Sequence, residues 1–597
     1  MDLHAVINDS YKLIKDKKYD LALKNLLPLL GHYRVCNVVQ LVGAAYLGKK
    51  SWSEALKYFA YALSLEPKNP ELHNQIAQSY SKLGYYSKAE LHFKAAISLK
   101  TDYFEACVNL IELYIDTKQY AQFDQLVFSQ NIIAEENEDL LCSVRDAYRV
   151  QNKFESALKW YQKVLQVNQD SLRATHNLAI CFRMLGDVEK SLEILQICNI
   201  DSSHLRHLEA LCLYDAGSFN KSRTLLESLH IKNINKVSYL EALAELDWQC
   251  DEANRTVERY QKLLNKKYIN HEEILISFIT ILIQSENYKE LENLLSKISK
   301  QCSLKLNAYV ARAYSKLGKF DLALPLYELI ARSVNSFEFK VEYAEFLILA
   351  GYFSEAETIL MQLYSGGVFN QKVLGLLGSM WRERGDERYY WLNDYDRFID
   401  IRTIEKPNEY LSLEHYLNEL QDVVLSMHIS KKEPLTQSVR NGSQSSGRFF
   451  SKNIPIIKTH VQALNKQIKA FLCKLPINTH HPFLQRNTKS YRFSGSWSVA
   501  LKDGGFHVSH VHPEGWISSA FYVSTVETEE QDGGNILFGR APYKSLKINS
   551  VEREIKPEPG ILVLFPSYFW HETKPFHNKN INDDSKRITT PFDLVPG

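Results

Sequence analysis

A period of 34 residues runs through the first two thirds of the chain and limits what that part can fold into. Tyr46, Tyr80 and Tyr114 stand one period apart, as do Ala55 and Ala89, Phe59 and Phe93, and Ala62 and Ala96. The pattern returns in Tyr148 with Phe182, Ala157 with Ser191 and Tyr161 with Leu195. Near residue 320 the spacing is 33, in Gly318 with Gly351, Phe320 with Phe353 and Ala323 with Ala356. Each unit reads as two amphipathic helices with apolar residues at i, i+3, i+4 and i+7. The turn between them carries Leu83-Gly84, Leu185-Gly186 or Leu317-Gly318, and a glycine there can take the left-handed conformation that ends a helix. Such units bury their apolar faces on their neighbours, so a chain of 597 residues need not be divided by the usual allowance of about 150 residues per domain.

These residues resemble tetratricopeptide repeats. The pattern is clearest in LGKKSWSEALKYFAYALSLEPKNP, where Pro67 ends the second helix, and it degenerates around 115–140, 200–300 and 365–385. The resemblance implies an all-α superhelix over residues 1–385 whose concave groove holds a protein or peptide partner; the alternative is a scaffold that orients the rest of the chain. The tyrosine-rich stripes read as core.

Lys plus Arg number 71 against 70 acidic residues, which gives no general attraction to nucleic acid or an anionic membrane. No run approaches about 18 apolar residues, so no spanning helix is expected. The N-terminal MDLHAVINDSYKLIKDKKYDLA reads as an amphipathic helix, not a signal peptide. The nine cysteines are scattered without a CxxC pair, which argues against a disulfide framework and for a cytoplasmic location.

The texture changes after residue 385. Residues 386–489 read as a helical extension, with helices near 411–428 and 455–474 and a loop, LTQSVRNGSQSSGRFF, flexible on composition alone. From 490 to 597 the period becomes 2. Candidate strands are YRFSGSWSVAL, FHVSHVH, WISSAFYVST, NILFGR, LKINSVEREI, GILVLFP, WHETKPF and RITTPFDLV, separated by turns at Asp503-Gly504-Gly505, Asp532-Gly533-Gly534 and Pro557–Gly560. Eight short strands at this spacing indicate a jelly roll. The expected fold is multidomain α + β.

His510 and His512 are i and i+2 on an expected strand, so their side chains share a face, with His507 on the other. His571 follows the apolar strand GILVLFP. Two ligands from one segment and a third from a distant strand can occupy one face of an octahedron, the geometry of non-haem Fe(II) oxygenases, which normally use two His and one carboxylate. Arg587 and Thr589 are again i and i+2, and a guanidinium fork beside a hydroxyl suits a carboxylate held at depth. Tyr522 and Ser518 share a face of their strand and can add hydrogen bonds to it.

At these residues the tail resembles the 2-oxoglutarate/Fe(II)-dependent oxygenases of the double-stranded β-helix superfamily, and within it the bacterial proteins that join this domain to tetratricopeptide repeats. The likeness rests on SWSV, GGFHVSHVHPEGWISSAFYV, GILVLFPSYFWHETKPF and RITTPFDLVP, and extends back through YYWLNDYDR and PLTQSVRNGSQ, covering about residues 388–597. It implies that His510 and His571 are the first and distal iron ligands, that Arg587 and Thr589 bind the far carboxylate of 2-oxoglutarate with help from Tyr522, and that O2 is used to hydroxylate a C–H bond. Gln437 and Arg440 become candidates for substrate contact. The departure is His512, which stands where the superfamily has Asp or Glu. An alternative register uses His512 and Glu514, although Pro513 disfavours a regular strand there. Two other functions stay open: a metal-binding or inactive jelly roll on a repeat adaptor, and a three-histidine dioxygenase independent of 2-oxoglutarate.

Overall fold

The structure is a computed structural model. It describes residues 3–31, 35–117, 119–129, 137–151, 153–167, 171–198, 201–265, 271–299, 302–365, 370–430, 432–445, 448–579 and 585–597. Ser446 and Gly447 of the expected loop lie outside these residues. The chain forms two compact units, Met1–Cys181 with Ile197–Ile200, and Phe182–Gln196 with Asp201–Gly597.

The first unit is built of helical hairpins, among them Cys36–Gly48 with Trp52–Leu65 and Pro70–Lys82 with Tyr86–Leu99. The periodic residues are its core: Ala55, Phe59, Ala62, Ala89, Phe93 and Ala96 are all buried. A Cβ on Gly43 would lie 2.7 Å from the Phe59 ring, so the ring fills the space that a side chain would need. Burying a ring of that size stabilises by about 1.5–3 kcal/mol. Helix Pro70–Lys82 begins where Asn69 Oδ1 accepts the N–H groups of Glu71 at 3.0 Å and Leu72 at 3.3 Å, with Pro70 at its first turn. It stops where Gly84 turns to φ +81° and the Tyr85 N–H donates to the Tyr80 carbonyl at 2.9 Å.

The second unit continues the hairpins from Ser203–Asp215 to Gln371–Glu383 and then builds β-sheet around helices Leu413–Leu425 and Pro455–Lys474. The strands are β1 (Asp400–Thr403), β2 (Val439–Gln444), β3 (Tyr491–Ser496), β4 (Val499–His507), β5 (Ile517–Ser524), β6 (Ile536–Phe538), β7 (Arg553–Ile555), β8 (Ile561–Pro566), β9 (His571–Thr573), β10 (Arg587–Thr589) and β11 (Phe592–Pro596). The larger sheet runs β1-β8-β5-β10-β4-β2, with β11 pairing β3 and β5, and the smaller runs β7-β6-β9; all pairs are antiparallel. This is the jelly-roll class expected from the spacing.

One apolar core joins the last hairpins to the sheets: Leu376, Met380 and Trp381 belong to the same buried cluster as Phe471, Phe521 and Leu562. Polar contacts reinforce it. The Trp570 indole donates to the Gly375 carbonyl at 3.0 Å and to Ser379 Oγ at 3.1 Å. Tyr543 donates to Glu345 at 2.8 Å, and Lys372 pairs with the same carboxylate at 3.0 Å.

Several local expectations need correction. Asp503-Gly504-Gly505 is not a turn; β4 runs through it. Gly504 at φ +71° and Asn441 at φ +53° absorb a shift in the β2–β4 register between Arg440 and Gly442, as a bulge does. The QSVRNGSQ segment, flexible on composition, supplies β2, because pairing with β4 satisfies its backbone. RITTPFDLV is two strands, interrupted at Thr590-Pro591, where proline removes a ladder donor. His510 and His512 lie past the end of β4. They are held individually: His510 exchanges both backbone hydrogen bonds with His571, at 3.0 and 3.1 Å, and the His512 N–H donates to the Ser567 carbonyl at 2.9 Å.

Candidate metal centre

Those backbone bonds tie the segment after β4 to the start of β9 and to the end of β8, and they bring three imidazoles together. One ligand atom from each of His510, His512 and His571 lies within 4.8 Å of the other two. The other ring nitrogen of each is engaged. Nδ1 of His510 bonds the Val508 carbonyl at 2.8 Å, Nδ1 of His571 the Phe569 carbonyl at 2.9 Å, and Nδ1 of His512 both Asp593 oxygens at 2.8 Å. A carbonyl or carboxylate there fixes the proton on Nδ1 and turns the Nε2 lone pair inward, the arrangement of metal-binding histidines. Burial pushes His510 down to about 3, and burial holds His571 well below the usual imidazole range; both rings are the neutral form that a metal requires.

Asp593, on β11, is a residue that the sequence reading missed. It accepts from Ser518 Oγ at 2.7 Å as well as from His512. Its aspartate was visible in the RITTPFDLVP stretch, but nothing in the spacing marked it as the partner of a histidine 81 residues earlier. Ser518 is fully buried and its hydroxyl is spent on Asp593 and on Ser567 at 2.9 Å, so it stands behind the histidines. Glu514 lines the cavity but is outside the three-histidine cluster among the described residues.

The cavity in front of the histidines has a volume of about 570 Å³ and takes in Arg587, Thr589, Tyr522, Trp497 and Gln437. Arg587 is only 3% exposed. Its guanidinium carbon sits 4.9 Å from the centre of the Tyr522 ring, and no carboxylate pairs with it among the described residues. Arg587 Nε is buried without a hydrogen-bond partner, and the guanidinium bears on the buried Tyr522 phenol. Burial lowers the Arg587 pKa from its ordinary value, yet a guanidinium stays charged in proteins. A buried, uncompensated cation is costly unless an anion joins it. The neighbouring strands carry Thr589 opposite Tyr522 in the β10–β5 register, so a hydroxyl, a phenol and a guanidinium bound one end of the cavity. That donor set fits the far carboxylate of a dicarboxylate, and the three imidazoles fit a first-row divalent metal.

Gln437 lines the cavity; Arg440 does not, and instead pairs with Glu286 at 2.8 Å. His507 also borders the cavity, held by Ser438 at 3.0 Å, and burial holds its pKa well below the ordinary value.

Residues 495–593 match the family described as "Putative 2OG-Fe(II) oxygenase". Residues 70–103 match "Tetratricopeptide repeat", and residues 150–229 match "Anaphase-promoting complex, cyclosome, subunit 3". Among curated proteins, the signal recognition particle subunit SRP72 of Dictyostelium discoideum is 23% identical over 158 residues, which cover 26% of this chain and only 23% of that protein's length. Among solved structures, a tetratricopeptide repeat protein from Parabacteroides merdae is 15% identical, with 40% of this chain and 96% of that one covered at a TM-score of 0.31. Yeast Tom70 is 15% identical, with 66% and 91% covered at 0.31. The chain carries tetratricopeptide repeats and, over residues 495–593, a domain that matches the family described as "Putative 2OG-Fe(II) oxygenase".

Proposed function

We propose that the protein is a 2-oxoglutarate- and Fe(II)-dependent dioxygenase of the hydroxylase type, and that its repeats recruit a protein or peptide. The observation that carries this reading is the pairing of three inward-facing imidazoles with a buried, anion-free Arg587 in one cavity. His510, His512 and His571 would hold the metal; Arg587, Thr589 and Tyr522 would hold the far carboxylate of 2-oxoglutarate. When bound together, Fe(II) and 2-oxoglutarate supply the activation of O2 for C–H hydroxylation. The chain's own part is to bind, orient and exclude water. Asp593 keeps the His512 proton on Nδ1. Phe565 packs its ring against His571 at 4.7 Å and closes one side of the centre to solvent.

Three imidazoles without a coordinating carboxylate also suit a dioxygenase that does not use 2-oxoglutarate. Arg587 favours the 2-oxoglutarate reading, because that alternative leaves its charge unanswered. Among the described residues no helix is long and apolar enough to cross a membrane; the scattered cysteines, without a CxxC pair, support our placing the protein in a reducing cytoplasm.

The test is succinate formation from labelled 2-oxoglutarate with Fe(II), ascorbate and O2. Turnover that disappears in His571→Ala and Arg587→Ala supports the proposal. Metal binding without turnover across candidate peptides favours an interaction protein, and O2 uptake independent of 2-oxoglutarate favours the three-histidine alternative.

A further inference from the structure

The segment from Lys432 into the start of β2 is pinned to two successive repeat turns, and the residues between the pins form a wall of the cavity. At the first pin the Trp248 indole donates to the Glu433 carbonyl at 2.8 Å. Lys432 lies 4.6 Å over the Trp248 ring and pairs with Asp251 at 2.6 Å. Asp251 is in the turn that follows helix Val237–Gln249. At the second pin Arg440 donates to Glu286 at 2.8 Å, in the turn after helix His271–Gln284. The same guanidinium reaches back into the segment, where Nη1 donates to the carbonyls of Gln437 and Val439, each at 2.9 Å. Between the pins, Thr436, Gln437 and Ser438 line the cavity. Ser438 Oγ lies 3.0 Å from His507 Nδ1 and 3.3 Å from His510 Nε2, and the Ser438 carbonyl accepts from the Val508 N–H at 3.0 Å.

We infer that Arg440 is a positioning residue: anchored on Glu286, it fixes the carbonyls on either side of Ser438 and so sets the wall of the cavity beside His510. The sequence makes Arg440 a candidate for substrate contact, but it does not line the cavity, and its guanidinium donates to two carbonyls and a carboxylate. The wall is a bridge of a few residues hung between two repeat units, so its position follows the spacing of those units. The repeats in this part of the chain thereby form part of the site. A change in repeat geometry there bears on Gln437 and Ser438 through Arg440, while the Ser438–Val508 backbone bond holds the wall from the side of the histidines.

Hydrogen exchange on the full-length chain tests the pinning and does not depend on activity. Arg440→Met should raise exchange of the amides of 433–441 about tenfold, as expected for losing two carbonyl bonds together with the ion pair. Glu286→Gln should raise it about threefold, the size that a partly exposed ion pair supports. In both variants β8 and the midpoint of thermal unfolding should stay as in the wild type. The double variant should match Arg440→Met alone. Unchanged exchange, or additive effects in the double variant, overturns the inference.

A second readout rests on the metal proposal. With Co(II) as the probe, Arg440→Met should reproduce the change in visible absorption caused by Ser438→Ala. An Arg440→Met spectrum identical to wild type while Ser438→Ala differs overturns the inference. If the wild type binds no Co(II), it is the metal proposal that fails, and the exchange result alone decides the pinning.

Discussion

Asp593 accepts the Nδ1 proton of His512 with both carboxylate oxygens at 2.8 Å. In the proposed function the carboxylate that such a site usually offers to the metal stands one residue further out, behind the imidazole. Such outer partners orient the ligand and raise its basicity, and removing one typically costs about 10–100-fold in metal affinity. Asp593→Ala should weaken Fe(II) or Co(II) binding by about that factor in a competition titration. Unchanged affinity would mean that His512 does not bind the metal.

The choice between His512 and Glu514 is decided by the same titration. His512→Ala should abolish tight binding. Glu514→Ala should retain it, because Glu514 is outside the three-histidine cluster. The reverse result would establish the alternative register.

Arg587 is buried without an anion, so its loss should separate stability from cosubstrate binding. Arg587→Met should leave the ligand-free protein at least as stable as wild type, because a desolvated charge is replaced by an apolar side chain. It should also abolish the rise in thermal unfolding midpoint that 2-oxoglutarate gives the wild type, with metal affinity retained. A variant still stabilised by 2-oxoglutarate would contradict the assignment.

The indole of Trp570 ties the segment that leads into β9 to helix Gln371–Glu383. Trp570→Phe keeps a ring but leaves the Gly375 carbonyl without that donor. We expect a loss of about 1–3 kcal/mol in urea unfolding. A loss too small to measure would show that the two indole hydrogen bonds add nothing to the join between this helix and the sheets.

His460 gives stability a pH dependence. It is fully buried between the Tyr416 hydroxyl at 2.7 Å and Thr590 Oγ1 at 2.9 Å, and burial pushes it from the ordinary 6.5 down to about 3. The unfolded chain takes up this proton below 6.5, while the folded chain stays neutral until about 3. The contribution is therefore complete above the unfolded value and is lost as pH falls through the window between the two. His460→Gln lacks that slope, so its stability deficit against wild type should narrow between about pH 7 and about pH 5. A deficit that stays constant over that range would contradict the burial of a neutral imidazole.

Much of this is legible in the sequence itself. The 34-residue period located the buried Ala55, Phe59 and Ala62 and their counterparts, because stacked hairpins repeat the same contact at the same phase. The clustering of His510, His512 and His571, with Arg587 in the same cavity, follows residues whose type and order stand out in the sequence. What escaped depends on distance in sequence. Asp593 meets His512 only because β11 pairs with β5, and hydropathy carries no such register. The glycines at 504 and 505 signal a turn locally, yet pairing with β2 turns them into a bulge. Arg440 and Ser438 sit in a polar stretch that reads as linker, and their roles come from contacts with Glu286 and with His507 and His510.

The most direct measurement of the central claim is anaerobic titration of the full-length protein with Fe(II) and then 2-oxoglutarate, followed by visible absorption. One Fe(II) per chain should bind, and adding 2-oxoglutarate should produce a metal-to-ligand charge-transfer band. That band should be absent in His571→Ala, and Arg587→Met should require far more 2-oxoglutarate to reach it. A protein that binds no iron, or one whose band survives in His571→Ala, would contradict the claim that these three histidines and Arg587 form one site.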